Sequence, residues 1–160
     1  MTHPITPCLW FDSQAEEAAN FYVSIFKNSK IEKISRYGKE GFEIHGQKEN
    51  TVLTVEFSLN NSPFTALNGG PVFQFNEAVS FQILCDSQEE IDHYWNSLTA
   101  DGGKEGQCGW LKDKYGVSWQ VFPKFLQEWM CESAKADKLM KAFMPMKKIN
   151  IEALLQSIEK

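Results

Sequence analysis

The chain of 160 residues fits one ordinary domain, and with 42% hydrophobic residues, twelve Phe and five Trp it has enough apolar surface to form a core, which excludes disorder. Its formal net charge is -5 and its sixteen Lys and Arg are scattered apart from short pairs such as Lys147-Lys148, so it has no phosphate-tracking patch for nucleic acid. No apolar run approaches the roughly 20 residues of a membrane span and the opening Met1-Thr2-His3-Pro4 lacks a basic-then-apolar signal, so the expectation is a cytoplasmic protein with no membrane partner.

Residues 5–11 form a short apolar, aromatic run that predicts a strand. Asp12-Ser13-Gln14-Ala15-Glu16-Glu17 then predicts a helix start, with Ser13 and Glu16 at capping-box spacing. Ala18, Phe21, Tyr22, Ile25 and Phe26 recur at helical intervals and mark one buried stripe ending near Asn28. Residues 30–37 and 51–59 are β-branched or alternating and predict two strands, separated by the Gly- and charge-rich stretch 38–50. The turn cluster Asn60-Asn61-Ser62-Pro63 returns the chain through Phe64-Thr65-Ala66-Leu67-Asn68, and Gly69-Gly70-Pro71 stops it.

The second half repeats this order. Residues 78–85 predict a strand, Asp86-Ser87-Gln88-Glu89-Glu90 opens a helix, and Ile91, Tyr94, Trp95 and Leu98 give its buried stripe. Asp101-Gly102-Gly103 stops that helix, residues 105–112 predict a strand, and Asp113-Lys114-Tyr115-Gly116 turns the chain into a last strand over 117–122. Asp-Ser-Gln thus occurs at Asp12 and at Asp86, each time after a strand and each time opening an acidic helical turn suited to the positive end of the helix dipole. Matching context on both sides makes a duplicated half-domain a better explanation than chance. After Pro123, apolar stripes at Phe125, Leu126 and Trp129, at Leu139, Met140 and Phe143, and at Ile149, Leu154, Leu155 and Ile158 predict helices. These dock on the domain or on a second subunit.

Cys8, Cys85, Cys108 and Cys131 are widely separated and include no C-x-x-C pair, which predicts reduced thiols rather than a zinc site or a redox pair. His45 falls in the polar loop and His93 on the second helix, both read as solvent-facing or structural. The Gly69-Gly70 and Gly102-Gly103 pairs read as turns. No G-x-G turn follows an early strand, as many methyl-donor sites require.

Pro7-Cys8-Leu9-Trp10-Phe11-Asp12, the stretch from Ala15-Glu16-Glu17-Ala18 through Phe21-Tyr22, Ala66-Leu67-Asn68-Gly69-Gly70, and above all Gly109-Trp110-Leu111-Lys112-Asp113-Lys114-Tyr115-Gly116-Val117-Ser118-Trp119-Gln120 resemble the PhnB-like family. That family, often labelled 3-demethylubiquinone 3-methyltransferase-like, belongs to the vicinal oxygen chelate superfamily of glyoxalases, bleomycin-resistance proteins and ring-cleaving dioxygenases. The resemblance covers residues 5 to about 123, and Met146-Lys147-Lys148-Ile149 extends it into the tail.

The resemblance implies an α+β fold: two βαβββ modules, over about residues 4–70 and 78–123, whose strands form a curled, cup-shaped mixed sheet. A helical extension over 124–160 follows, and a homodimer completes the assembly. In metal-using members the first and last strands of each module supply His and Glu ligands. Here the matching positions are Thr6 and Ser80 on the first strands and Ala66 and Gln120, each to within a residue, on the last strands, so neither a metal nor another cofactor is expected. A rearranged site would draw on His3 and Glu56.

Alternation along the first strands turns Thr6, Cys8 and Trp10, and Ser80, Gln82 and Leu84, toward the cup. Asn68, Ser118 and Gln120 from the closing strands and Trp110 complete a lining of neutral hydrogen-bonding groups beside stacking surfaces, whereas Trp119 points to the opposite, core face. The expected function is binding of a small molecule without the usual metal ligands. A glyoxalase- or dioxygenase-like enzyme with a rearranged metal site is the alternative, and the family-labelled methyl transfer is the less favoured reading.

Overall fold

In the computed structural model, which describes residues 5–159, the chain divides into two compact units, Met1–Gln74 and Phe75–Lys160. The first contains β1 (Cys8–Phe11), α1 (Ala15–Ile25), β2 (Lys30–Arg36), a single-turn α2 (Phe42–His45) within the polar stretch, β3 (Val52–Leu59) and β4 (Ser62–Asn68). Its sheet runs β1-β4-β3-β2, with β1 parallel to β4 and the other pairs antiparallel.

Period-two alternation buries Leu9, Phe11, Val55, Phe57, Phe64 and Ala66 on the face covered by α1. Ala15, Ala18, Ala19, Tyr22 and Ile25 form the buried stripe of that helix, and Tyr22 stacks on Phe57 with ring centroids 6.3 Å apart. Each fully buried large apolar side chain among these, such as Phe57, contributes about 1.5–3 kcal/mol. Truncating Phe57 to alanine therefore costs about 3–5 kcal/mol, transfer and cavity terms together.

The Ser13–Glu16 capping box does not form: Gln14 is the N-cap of α1 and makes no side-chain cap bond. The helix is capped instead from the end of β4, where Asn68 Oδ1 accepts the Ala15 N–H at 2.8 Å.

The second unit repeats the plan: β5 (Phe81–Cys85), α3 (Gln88–Thr99), a 3-10 turn at Ala100–Gly102, β6 (Lys104–Glu105), β7 (Trp110–Lys112) and β8 (Ser118–Pro123), followed by α4 (Phe125–Trp129), α5 (Ser133–Phe143) and α6 (Ile151–Glu159). Sheet order is β5-β8-β7-β6, again with one parallel pair, β5 with β8. The fold is therefore α+β, built of two βαβββ modules that each form an unclosed four-stranded mixed sheet. In this copy the capping spacing works: Ser87 Oγ accepts the Glu90 N–H at 3.2 Å, and the Glu90 carboxylate accepts the Asp86 N–H at 3.0 Å.

The single strand expected over 105–112 is two short strands. Between them Cys108 and Gly109 adopt left-handed φ of 57° and 77°, and a Cβ on Gly109 would lie 2.7 Å from the Val121 carbonyl oxygen. The C-terminal helices pack on their own unit. Cys108 and Gly109 donate their N–H groups to the carbonyls of Met146 and Lys147 at 2.7 and 2.9 Å, and Leu139, Ile149 and Leu154 are fully buried.

Candidate functional site

The face of the second sheet turned away from the α3 side carries the polar groups. Trp119 and Val121 of β8, Leu111 of β7 and Ile83 and Cys85 of β5 are buried on the core side. Alternation sends Ser118, Gln120 and Phe122, Trp110 and Lys112, and Gln82 and Leu84 to the other face. Strand register then sets Gln82 of β5 beside Gln120 of β8, and Gln120 beside Trp110 of β7. One row of the sheet thus presents two amides and an indole.

Hydrogen bonds orient this row. Gln120 Nε2 donates to Ser80 Oγ at 2.8 Å, and Gln127 Nε2, from α4, donates to Gln82 Oε1 at 3.3 Å. Gln120 Oε1 and Gln82 Nε2 have no hydrogen-bond partner among the described residues. Phe122, Leu126, Gln127, Met130 and Phe143 line an open cleft of about 230 Å³ with the two amides, so α4 and α5 form one wall. A second cavity of about 360 Å³, at the β6–β7 edge of the sheet, is lined by Glu77, Lys104, Glu105, Trp110, Lys112 and Ser118 among others.

What holds β7 and β8 in this register is the Gly109–Gln120 motif. The buried Asp113 carboxylate accepts the Tyr115 and Val117 N–H groups at 2.9 and 3.0 Å through Oδ1 and the Trp119 indole N–H at 2.8 Å through Oδ2. The motif is thus a carboxylate-centred turn that delivers Ser118 and Gln120 to the open face. Trp119, on the core side, is 2% exposed, as alternation predicts.

In the first unit the corresponding row is Cys8 of β1, Thr65 of β4, Glu56 of β3 and Lys33 of β2. Cys8 pairs with Thr65 as Gln82 pairs with Gln120, so the register makes Thr65, not Ala66, the counterpart of Gln120. Ala66 lies in the core. Cys8 is exposed on this face, and partial desolvation by its neighbours raises its thiol pKa above the ordinary value.

The other expected lining residues divide. Thr6 is exposed and precedes β1. Trp10 shares the open face with Cys8, but its indole N–H donates to the Gly70 carbonyl at 2.8 Å and its ring meets Phe73 edge-on at 5.0 Å, so it anchors the segment after β4. Asn68 falls on the core side by alternation with Phe64 and Ala66, and its amide is spent on Ala15 N–H and, through Nδ2, on the Val52 carbonyl at 3.0 Å. Ser80, Gln82, Trp110, Ser118 and Gln120 lie on one face of the second unit. The cavity wall of Phe122, Leu126, Gln127, Met130 and Phe143 has no signal in the sequence beyond the apolar helical spacing at Leu126 and Phe143.

The donor set does not fit a divalent ion. Ser80 and Gln120 are a hydroxyl and an amide already bonded to each other. Among the described residues no three His, Cys, Asp or Glu side chains gather. His3 lies outside the described residues, and Glu56 stands on the open face of the first sheet between Thr65 and Lys33.

Repeated βαβββ modules with mixed four-stranded sheets are the architecture of the vicinal oxygen chelate superfamily. FosX, a fosfomycin resistance protein from Listeria monocytogenes, shares the fold at 13% identity and a TM-score of 0.53, over 80% of this chain and 98% of its own. Protein PA1353 from Pseudomonas aeruginosa does so at 18% identity and 0.61, over 77% and 98%. The PhnB protein from Bacillus cereus is 38% identical with a TM-score of 0.66, over 76% of this chain and 99% of its own. The 3-demethylubiquinone-9 3-methyltransferase family matches residues 3–122, and the chain belongs to this PhnB-like family. No curated protein matches it.

Proposed function

We propose that the chain binds a small oxygenated molecule on the open face of the second sheet, between the Gln82–Gln120–Trp110 row and the wall made by α4 and α5. The observation that carries this reading is the pair of oriented amides. Ser80 and Gln127 fix one end of each, leaving Gln120 Oε1 to accept and Gln82 Nε2 to donate beside the apolar groups of Phe122, Leu126, Met130 and Phe143. Its volume of about 230 Å³ lies below the roughly 300–1,000 Å³ common for drug-sized ligands, which favours a small metabolite. Neither amide titrates, so the pair orients and retains a ligand rather than moving protons.

The proposal includes a homodimer in the cytoplasm. The family resemblance implies the dimer, and the four free thiols suit a reducing compartment. Light scattering on the purified protein reads the dimer directly. A thermal-shift screen across a metabolite library tests binding: a stabilising compound whose effect disappears in Gln120→Leu supports the site. A library without effect, or hits unchanged in both Gln120→Leu and Gln82→Leu, overturns it.

A further inference from the structure

We infer that the molecule taken by this face is an amphiphilic carboxylic acid, with its carboxylate at Lys112, Lys104 and Ser118 and its apolar end under α4 and α5. This deepens, and rests on, the binding reading above. The register carries it: Lys104 of β6 pairs with Lys112 of β7, and Lys112 with Ser118 of β8, so two ammonium groups stand in the row next to Trp110 and Gln120, above the buried Ser118, whose hydroxyl donates to the Asn76 carbonyl at 3.5 Å until a ligand carboxylate takes it over.

The larger cavity opens on this row, and the structure already seats a carboxylate there. Glu77 places Oε1 2.5 Å from Lys112 Nζ at the cavity wall. Its pKa is lowered first by the hydrogen bond from Lys112, as a carboxylate in that place should be. Glu77 is an internal occupant that a ligand carboxylate would displace. Lys104 has no ion-pair partner among the described residues, so the second positive charge is left for the ligand.

Along β8 the face changes character over the four residue steps from Ser118 to Phe122, a distance of about 13 Å. Lys112 and Ser118 mark the cationic end, Trp110 and Gln120 the middle, and Phe122, Met130 and Phe143 the apolar end. A charged head and an apolar tail match this order, whereas a fully neutral molecule leaves the lysine row unused.

The test compares octanoate with octanamide by isothermal titration of the full chain. Octanoate binding about tenfold tighter than octanamide, a difference erased in Lys112→Met and widened in Glu77→Gln, is the expected result. Circular dichroism checks the fold of each variant, and Lys104→Met makes the same comparison if Lys112→Met does not fold. Equal affinity for acid and amide in the unaltered protein, or an octanoate affinity indifferent to Lys112→Met, overturns the inference. If a neutral library compound binds and is lost in Gln120→Leu while neither octyl compound binds, the acid inference fails and the pocket reading stands. If nothing binds, both fail.

Discussion

The indole N–H of Trp119 ends on the carboxylate of Asp113, 2.8 Å from Oδ2, and both residues are buried. With the Tyr115 and Val117 N–H groups on Oδ1, this one carboxylate satisfies three donors, two of them in the turn between β7 and β8. Asp113→Ala leaves those donors without a partner and is expected to destabilise the protein by about 3 kcal/mol or more. Asp113→Asn, which keeps one acceptor oxygen, costs less. Urea unfolding of the two variants, followed by Trp fluorescence, checks the order; an alanine variant as stable as the parent would mean that the turn is held by something else.

Gly69 sits against the Trp10 indole so closely that a Cβ there would lie 2.2 Å from Cζ2. Its φ is not in the left-handed region, so the demand for glycine comes from the ring rather than from the backbone. Gly69→Ala must push the indole away from Phe73 and strain its bond to the Gly70 carbonyl. The expected cost is about 1–3 kcal/mol, the range for overpacking. Pairing it with Trp10→Phe should recover part of the loss, because the smaller ring clears the new methyl, and melting temperatures of the single and double variants measure this.

Strands with two-faced alternation were readable from the chain. Ser118, Trp119 and Gln120 take the faces that period two assigns them, because β8 is continuous and each of its faces meets a different environment. Asn68 shows where that reading failed. Counting from the core residues Phe64 and Ala66 puts it on the helix side, where its polar amide, expected in the cup lining, is the cap that α1 lacks. The same capping spacing is used at Ser87 and left unused at Ser13, since local spacing cannot reveal a competing donor or acceptor brought in from a distant strand. The wall of the pocket was out of reach for a related reason: Gln127, Met130 and Phe143 reach the amides through tertiary docking, which helical periodicity does not encode.

Gln88, the last residue of the second Asp-Ser-Gln, grips the tail with both ends of its amide. Oε1 accepts the Ile151 N–H at 2.9 Å, and Nε2 donates to the Ile149 carbonyl at 3.1 Å. Gln88→Ala is expected to speed hydrogen exchange at the Ile151 amide and to expose the linker between α5 and α6 to protease, with little effect on exchange in β5 and β8. Mass-spectrometric exchange on the intact protein separates these regions, and uniform exchange in parent and variant would remove Gln88 from this role.

Acid should loosen the same docking. Lys148 sits 2.8 Å from Asp92, and Lys147 lies 3.4 Å from Glu105. The Lys148 hydrogen bond, and after it that of Gln88, lowers the pKa of Asp92; the Trp95 indole N–H, and after it Lys147, lowers that of Glu105. Both carboxylates therefore bind protons less readily folded than unfolded. Their contribution is present above the ordinary values of 3.8 and 4.5 and is lost as pH falls through the lower folded ones. The groups are solvent-exposed, so the effect is modest and salt should shrink it. Protection factors at residues 149–151, with the intrinsic pH dependence of amide exchange divided out, should fall on acidification in the parent and fall less in Asp92→Asn, which has no charge to lose.

At the other end of the pH scale the buried thiol of Cys85 dominates. Burial first, then the nearby charges of Glu90 and Asp86, pushes its pKa up to about 12 from an ordinary 9.0. The unfolded chain releases this proton near its ordinary value, while the folded chain holds it. Stability from the neutral thiol is therefore complete below pH 9.0 and declines as pH rises toward the folded value. Urea midpoints of the parent should fall between pH about 8 and about 11 by more than those of Cys85→Val, because the variant retains every other titrating group and lacks only this one. Parallel decline in both proteins would show that lysine and tyrosine titration accounts for the whole alkaline loss. The same burial makes Cys85 the slowest of the four thiols toward a disulfide reagent at pH about 8, with exposed Cys131 ahead of it.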